Sequence, residues 1–370
     1  MKALHLLVMG GTLLGALTSC KDDLDLDKIP TGTLCTMSNQ VSGNQVIQYL
    51  RLADGSLRRQ GSFATGGAGT GAGLGSQGAL IVSSSDKWLF AVNAGSNEVS
   101  VLQATGLSLS LKDIEPSGGT TPISLTQHGP WLYVLNAGGA GNITGFHISS
   151  DGHLTPIPNS TRTLSSLSAG PAQVQFTHEG GALIVTEKAT NSISTWPVDA
   201  NGVAGTRKTY PSAGQTPFGF ALGRPGIFYV SEAGGGANQS TLSSYAIDAG
   251  GTVTTIDGPN TTHQTAACWV VATDYGNLVY TTNAGSGTLS GFRADDTGRL
   301  DLLSADGISG QTGPESSPTD AALSKNSRYL YVLESGTHAL SSYRINKNGS
   351  LSPVDEETGV PAGAAGLASR

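Results

Sequence analysis

The sequence has few charged and aromatic residues. Only 13% of its 370 residues are charged and 6% are aromatic, and the net charge is −7. A cationic surface that follows nucleic-acid phosphates is therefore not expected, and few aromatic rings are available to stack bases. We predict that the chain has no nucleic-acid partner.

Motifs of cofactor binding and common hydrolytic chemistry are also missing. The chain has no GxSxG, Walker-type loop, EF-hand loop or HExxH motif, and its seven histidines show no metal-ligand spacing. The glycine-rich run 66–78 precedes a strand rather than a helix, which gives no support for phosphate binding. We therefore predict neither a metal ion nor a cofactor.

What the chain does have is a block that recurs about every fifty residues. Each copy is a short apolar run ending in Asn or Glu, followed by small residues and a second alternating strand. The end residues are Asn39, Asn93, Asn136, Glu187, Glu232, Asn283 and Glu334. A period near fifty in a strand-rich chain indicates a propeller, a solenoid or an array.

Each repeat divides into four short strands, A to D, separated by turn residues. In the fourth repeat these strands start at Pro171, Ala182, Asn191 and Gly205. The first repeat lacks strand A, and the segment from Val360 has the pattern of the missing strand. The sequence therefore predicts a monomeric, all-β, seven-bladed propeller over residues 32–370, with one blade closed by strands from both termini.

The first twenty residues are typical of a processing segment. An apolar stretch follows Lys2, and the quartet ending at Cys20 resembles the bacterial lipobox. The resemblance implies a signal peptide over residues 1–20 and a lipid on Cys20. Residues 21–31 are then predicted to be a tether, and their start resembles the surface-export tag of Bacteroidetes lipoproteins. We predict a lipid-anchored protein outside the cytoplasm, in the periplasm or at the cell surface.

Two cysteines remain inside the predicted propeller, Cys35 in the first repeat and Cys268 in the sixth. Their blades are not neighbours in a ring of seven, so a disulfide between them is not expected. We interpret both as buried, small apolar residues.

Propeller geometry predicts the face on which a site would lie. The starts of the A strands, the ends of the B strands and the D-to-A connections share one face, which we call the funnel face. The candidate residues predicted there are Gln77, Asn93, Asn136, Gln173, Glu187, Lys188, Phe218, Glu232, His263, Trp269, Asn283 and Glu334. Grouped carboxylates would raise one another's pKa, which suits a general acid or base.

Each candidate also has a structural interpretation. An Asn before Ala-Gly at a strand end commonly satisfies turn amides. Glu187 can pair with Lys188 or a neighbouring blade, and His263 can be a solvated loop residue. Pairing of His263 with Cys268 as a nucleophile is a weaker alternative, because nothing nearby in sequence orients the imidazole.

The strand pairs resemble the lactonase-type seven-bladed propellers, which include 6-phosphogluconolactonases and 3-carboxymuconate cyclases. The resemblance spans residues 31–369 and is carried by segments such as QGALIVSSSDKWLFAVNAG, PISLTQHGPWLYVLNAG and SPTDAALSKNSRYLYVLESG. It implies the propeller fold and chemistry on a lactone.

The chain departs from this family where lactone chemistry is expected. Family members carry Pro-His at the start of one A strand, where this chain has Pro171, Ala172 and Gln173. They carry Pro-Arg-His at the next, where this chain continues from Pro217 to Phe218 and Gly219. Glu232 alone matches the family pattern, and Arg162 is the candidate substitute for the missing arginine. With Lys188 the one evident cation, a sugar phosphate or tricarboxylate is a poor substrate.

Two hypotheses follow from the sequence. In the first, an enzyme acts on a small lactone or sugar-like ligand, with Glu232, His263 or Glu187 as acid or base. Gln173 and Asn136 would then hold polar groups of the ligand while aromatic rings stack on it. In the second, the propeller binds a glycan, peptide or protein without chemistry. Convergence of Glu232 and His263 would favour the first hypothesis, and a funnel plugged by Phe218 or Trp269 would favour the second.

Overall fold

The computed structural model describes residues 26–370, except the side chain of Tyr275. The described chain has thirty strands and two 3-10 helices, Leu26–Lys28 and Asp274–Gly276, and none of its helices is long and apolar enough to cross a membrane. The strands form seven antiparallel sheets, which confirms the predicted all-β propeller. The predicted signal peptide, the lipidated Cys20 and the start of the tether lie outside the described residues.

Each sheet is one blade, and its strands run in order from the inner strand A to the outer strand D. Blade 1 contains β30 (Ala365–Ser369), β1 (Pro30–Met37), β2 (Gln45–Leu52) and β3 (Leu57–Ala64); blade 2 contains β4 (Leu80–Val82), β5 (Trp88–Asn93), β6 (Glu98–Thr105) and β7 (Ser108–Pro116). Blade 3 contains β8 (Pro122–His128), β9 (Trp131–Asn136), β10 (Asn142–Ile148), β11 (Leu154–Pro156) and β12 (Arg162–Thr163); blade 4 contains β13 (Pro171–Phe176), β14 (Ala182–Glu187), β15 (Ser192–Pro197) and β16 (Lys208–Pro211).

Three further blades complete the ring. Blade 5 contains β17 (Pro217–Leu222), β18 (Ile227–Glu232), β19 (Thr241–Ile247) and β20 (Val253–Thr261); blade 6 contains β21 (Ala267–Ala272), β22 (Leu278–Asn283), β23 (Thr288–Ala294), β24 (Leu300–Leu302) and β25 (Gly310–Gln311); blade 7 contains β26 (Pro318–Leu323), β27 (Tyr329–Glu334), β28 (Ala339–Ile345) and β29 (Leu351–Thr358). The outer strand is split in blades 3 and 6, where β12 and β25 pair separately with strand C.

Blade 1 is closed by the two ends of the described chain, as predicted. β30 occupies the inner position of strand A, and its Ala368 pairs with Cys35 of β1. Thr33 and Arg370 exchange two backbone hydrogen bonds of 2.9 and 2.8 Å. β1 begins at Pro30, so the folded ring starts before the predicted boundary at residue 32.

Burial decreases from the second strand of each blade to the outermost. The B strands β5, β14, β22 and β27 are buried at every position, because sheets of neighbouring blades cover both of their faces. Such strands are near-continuous apolar runs for this reason. The D strands, such as β3, alternate and are largely exposed. Cys35 and Cys268 are both free and buried, as predicted.

Candidate functional site

The polar residues at the ends of the B strands are buried inside their own blades. All seven are at most 1% exposed: Asn39, Asn93, Asn136, Glu187, Glu232, Asn283 and Glu334. Their side chains hydrogen-bond to strand C of the same blade, to the B-to-C turn, or to the connection arriving from the preceding blade. The structure therefore does not bring the three glutamates together around a common funnel.

Glu232 has the largest number of hydrogen-bond donors in this group. Its Oε2 accepts from the hydroxyls of Thr241 and Ser243 at 2.7 and 3.0 Å, and its Oε1 accepts from Tyr245 at 3.1 Å and from the Gly214 N–H at 3.3 Å. Burial raises the pKa of Glu232, and these hydrogen bonds offset part of that rise. The carboxyl thus ties the connection between blades 4 and 5 to strand C.

Glu187 and Glu334 are held in the same manner. Glu187 accepts hydrogen bonds from Ser165 and from Thr190, the latter at 3.1 Å. Glu334 accepts from Thr337 at 2.7 Å and from Ser341, and burial raises its pKa. Each carboxylate therefore accepts hydrogen bonds from nearby hydroxyl groups.

The asparagines at this position also bond locally. Asn93 donates to Ser100 at 2.7 Å, while Asn136 and Asn283 donate to strand C residues Asn142 and Ser290, each at 2.9 Å. The Oδ1 atoms of Asn136 and Asn283 are buried, and among the described residues they have no partner. The contacts of these asparagines are therefore local, but they are made with strand C rather than with turn amides.

The funnel face is closed at its centre. The rings of Phe218 and Trp269 are 4.9 Å apart, and Trp269 Nε1 donates to the carbonyl of Ser76 at 2.8 Å. Lys188 Nζ lies 4.6 Å from the Phe218 ring and donates to the Gly75 carbonyl at 2.7 Å; burial lowers its pKa. Residues 75–76 lead into blade 2 but are bound by blades 4 and 6, so this connection crosses the centre of the ring.

Two predicted amides, Gln77 and Gln173, link A strands of different blades. Gln173 bonds both the N–H and the carbonyl of Phe220, at 2.7 and 3.0 Å. Gln77 does the same with Val270, at 3.0 and 2.7 Å. Gly219 is required beside this contact, because a Cβ there would lie 2.6 Å from the Cys268 carbonyl and would also collide with Gln77.

His263 and Arg162 are not beside the predicted carboxylates. His263 is an exposed residue with a φ of 56° in the connection after blade 5, and no hydrogen bond joins its ring to Glu232. Arg162 belongs to β12 in the outer part of blade 3, far from the funnel centre. The expectation that Arg162 replaces the family arginine at the funnel is therefore wrong, because its strand pairs at the rim of the blade.

The central channel is open from the opposite side. A cavity of about 350 Å³ runs along the A strands. Its lining includes two predicted residues at the A-strand starts, Gln77 and Gln173, then Asp320, and, towards the A-strand ends, Val82, Gln127, Gln175 and Ser369. We call this side the open face. A second cavity of about 410 Å³ shares Gln175 with the first and extends to the exposed His178.

Asp320 is the one ionisable side chain among the described residues that line the first cavity. It is 2% exposed, and its Oδ1 accepts a 2.8 Å hydrogen bond from the Ala321 N–H. Its Oδ2 is buried and has no partner within residues 26–370. Burial raises the pKa of Asp320 well above its usual range, and the N–H groups of Ala321 and Leu367 lower it in part.

Sequence reasoning missed Asp320, although a signal was present. The A-strand positions that follow the bulge are polar in several blades, as in Ser124 and Gln173, but only blade 7 has an acid there. Neutral side chains at this position bond to the next A strand, as Gln173 does. A carboxyl at the same position loses solvation without gaining a cation, which marks it as a candidate for function.

Among the described residues, no group of three or more His, Cys, Asp or Glu side chains is arranged to hold a metal ion. The cavity wall offers amide, hydroxyl and carboxyl groups but no lysine, arginine or histidine. Such a site suits a neutral, hydroxyl-rich ligand better than an anion.

Comparison with known proteins supports the fold and part of the family resemblance. Residues 240–366 match the family model described as lactonase, 7-bladed beta-propeller. No curated protein matches the chain. A proposed 6-phosphogluconolactonase from Bacteroides fragilis superposes with a TM-score of 0.72 at 18% identity, covering 92% of this chain and 98% of that one.

Two further solved structures are similar over the same extent. A protein from Lactobacillus plantarum has a TM-score of 0.73 at 18% identity, with 92% of this chain and 99% of that chain covered. The periplasmic gluconolactonase of Pseudomonas aeruginosa has a TM-score of 0.70 at 15% identity, with coverages of 91% and 98%. At sequence identities this low, the similarity to these structures shows a shared fold and no more.

Proposed function

We propose that this chain, whose residues 240–366 match the lactonase propeller family, binds and hydrolyses a small neutral lactone in its central channel. The ligand enters from the open face rather than from the funnel face. The observation that supports this most is the 350 Å³ cavity with Asp320 in its wall, since that carboxyl has an unpartnered oxygen. Of the similar solved structures, the one described as a periplasmic gluconolactonase agrees with this class of ligand.

Asp320 has the chemistry of a general base when its carboxyl is ionised and of a general acid when it is protonated. A raised pKa brings a carboxyl closer to the working pH, where proton transfer is most effective. In the proposed reaction, a water gives a proton to Oδ2 as its oxygen attacks the lactone carbonyl carbon. The ring C–O bond then breaks, and the leaving oxygen takes the proton back from Asp320. The product is the open hydroxy acid.

The cavity wall restricts the class of substrate. Gln127 and Gln175 supply amides, Ser369 supplies a hydroxyl, and no cation is present in the described lining. Phosphate or several carboxylates would need cationic partners to offset desolvation. The proposed ligand is therefore an uncharged lactone with hydroxyl groups, such as a sugar lactone.

We also propose that the protein acts outside the cytoplasm. The basis is the signal-like segment with Cys20, together with a similar structure described as a periplasmic gluconolactonase. Lipid attachment and the leaflet that holds the lipid are part of this proposal.

A second candidate function is binding without chemistry. The packing of Phe218 on Trp269 closes the face where family members carry histidine and arginine. A propeller that has lost that site can still hold a sugar-like ligand at the open face. In this case Asp320 would recognise a hydroxyl group of the ligand instead of activating water.

The decisive experiment measures hydrolysis of neutral and acidic lactones by the purified chain. A pH-stat records the acid that hydrolysis releases. We expect turnover of neutral lactones, and a loss of about 100-fold or more in Asp320→Asn, the range typical of a removed general base. Asp301→Asn, an exposed acid in blade 6, is the matched control.

The remaining arms separate the alternatives. A loss of turnover in Glu232→Gln or His263→Ala, with Asp320→Asn fully active, would place the chemistry on the funnel face and contradict the proposal. Absence of turnover, combined with lactone binding that Asp320→Asn abolishes, would instead establish the binding propeller.

A further inference from the structure

A third cavity, with a polar lining, lies away from the channel, between the outer parts of blades 3 and 4. Its volume is about 470 Å³, and its lining residues are Arg162, Thr163, Trp196, Gly205, Thr206 and Arg207. They come from β12, from the end of β15 and from the segment that precedes β16. This pocket shares no lining residue with the two channel cavities.

Arg162 is held in place by main-chain carbonyls. Its Nε donates to Gly205 at 3.0 Å, and its Nη1 donates to Asn159 and Thr161 at 2.7 and 2.8 Å. No carboxylate of the described residues pairs with this guanidinium. Its Nη2 makes no hydrogen bond to any described residue and remains available as a donor.

Arg207 is held in the same way from the other side. Its Nη1 donates to the carbonyls of Thr163 and Leu164 at 2.8 and 2.6 Å, and its Nε donates to Thr209 at 3.3 Å. Within the described part of the chain it too has no acidic partner, and its Nη2 is unoccupied. Two half-buried guanidinium groups therefore have fixed orientations and no neutralising anion.

Trp196 adds a third hydrogen-bond donor to this pocket. It is 0% exposed, it lines the pocket, and its Nε1–H has no acceptor among residues 26–370. A buried donor without a partner is unfavourable, so such groups are commonly satisfied by water or a ligand. All three side chains are donors, and no acidic residue lines the pocket.

We propose that this pocket binds an oxyanion, the carboxylate or phosphate group of a small ligand. Guanidinium groups match both anions with paired N–H donors, and prior orientation by main-chain carbonyls reduces the entropy lost on binding. The chain carries a net charge of −7, so its general field repels anions and the attraction must be local. The site is independent of the proposed channel chemistry.

The test is calorimetric titration of the purified full chain with inorganic phosphate, with glucuronate and with neutral glucose. We expect saturable binding of at least one anion that weakens as NaCl is added, and no binding of glucose. A stronger response to phosphate or to glucuronate identifies which oxyanion the pocket prefers.

Variants locate the binding. Arg162→Gln and Arg207→Gln should each weaken anion binding about tenfold or more, whereas Arg207→Lys, which keeps the charge, should retain part of it. Arg299→Gln removes an exposed arginine in blade 6 and is the charge-matched control, expected to bind as the unchanged chain does. Melting curves establish that each variant is folded.

Two results would overturn the proposal. One is absence of binding for both anions at millimolar concentration to the folded chain. The other is equal weakening by Arg299→Gln and Arg207→Gln, which would show that overall charge, rather than the pocket, attracts the anion.

Discussion

At the scale of single residues, the burial of the polar side chains at the B-strand ends is explained by the hydrogen bonds that they make nearby. Asn and Glu both occur at the ends of the B strands because each can bond to polar groups of strand C and the adjoining loop: the asparagines donate through Nδ2, and the glutamates accept from hydroxyl groups. Their repetition in the sequence resembles a shared site. The structure instead shows separate, local hydrogen bonds in six blades, from Asn93 to Glu334.

Glu232→Ala should destabilise the fold, because it leaves buried hydroxyl donors of Thr241 and Ser243 without an acceptor. We expect a loss of about 2–4 kcal/mol in the free energy of unfolding, measured by urea titration. Glu356→Ala, an exposed site in blade 7, should change it by less than about 0.5 kcal/mol. Equal effects of the two substitutions would refute the role of Glu232 in joining strand C to the connection between blades 4 and 5.

Asp320 should make stability fall as the pH rises. Its pKa in the folded chain is raised above the ordinary 3.8, so above that pH the unfolded chain releases a proton that the folded chain retains. Folding is then fully favoured below about pH 4 and loses free energy at higher pH. Asp320→Asn cannot ionise, so its melting temperature should rise relative to that of the unchanged chain across the range above about pH 4. A constant difference across this range would contradict the assignment.

At the scale of elements, the periodic parts of the fold could be predicted from sequence and the connections could not. The strands from Pro171 and the closing strand after Val360 follow from alternation and turn residues, and both are found. The path of residues 75–77 has no local signal. Their position depends on bonds to Lys188, Trp269 and Val270, which lie about a hundred residues or more away in sequence.

The same reason explains why only two of the predicted site residues, Gln77 and Gln173, line the cavity, which opens on the face opposite to the others. Topology alone places the A-strand starts on one face, as expected. Whether that face is open depends on side-chain volume at Phe218 and on which loop crosses it. The acid in the open cavity, Asp320, could be recognised only by comparing the same position between blades.

Strand β30 should be required for closure of the ring. Deletion of residues 365–370 exposes the inner edge of β1 and removes both Thr33–Arg370 backbone bonds. We expect loss of the cooperative thermal transition, or a large decrease in melting temperature, together with aggregation through the free edge. Adding a synthetic peptide of residues 364–370 should restore part of the stability. A truncated chain that melts as the intact one does would show that the ring holds without this strand.

At the scale of the whole molecule, the closed ring should unfold as one unit. Burial raises the pKa of both Cys35 and Cys268 to about 12, and they lie in blades 1 and 6. A thiol reagent near pH 8 should therefore leave both unmodified in the native state. In a Cys20→Ser variant, we expect Cys35 and Cys268 to become reactive at the same urea concentration and at the same rate. Mass spectrometry of the modified chain measures the extent of reaction at each cysteine. Earlier reaction of one cysteine would show that its blade opens alone.

The closure of blade 1 also determines where the chain enters the ring. β1 starts beside the end of β30, and Ser369 at that end lines the cavity on the open face. Residues 27–29 lie against the turn between β2 and β3, where the N–H groups of Ala53 and Asp54 donate to the carbonyls of Ile29 and Asp27. The described chain thus enters the ring on the open face. If the chain is fixed to a membrane from this side, the open face lies towards the bilayer, and the length of the linker determines how large a molecule can reach it.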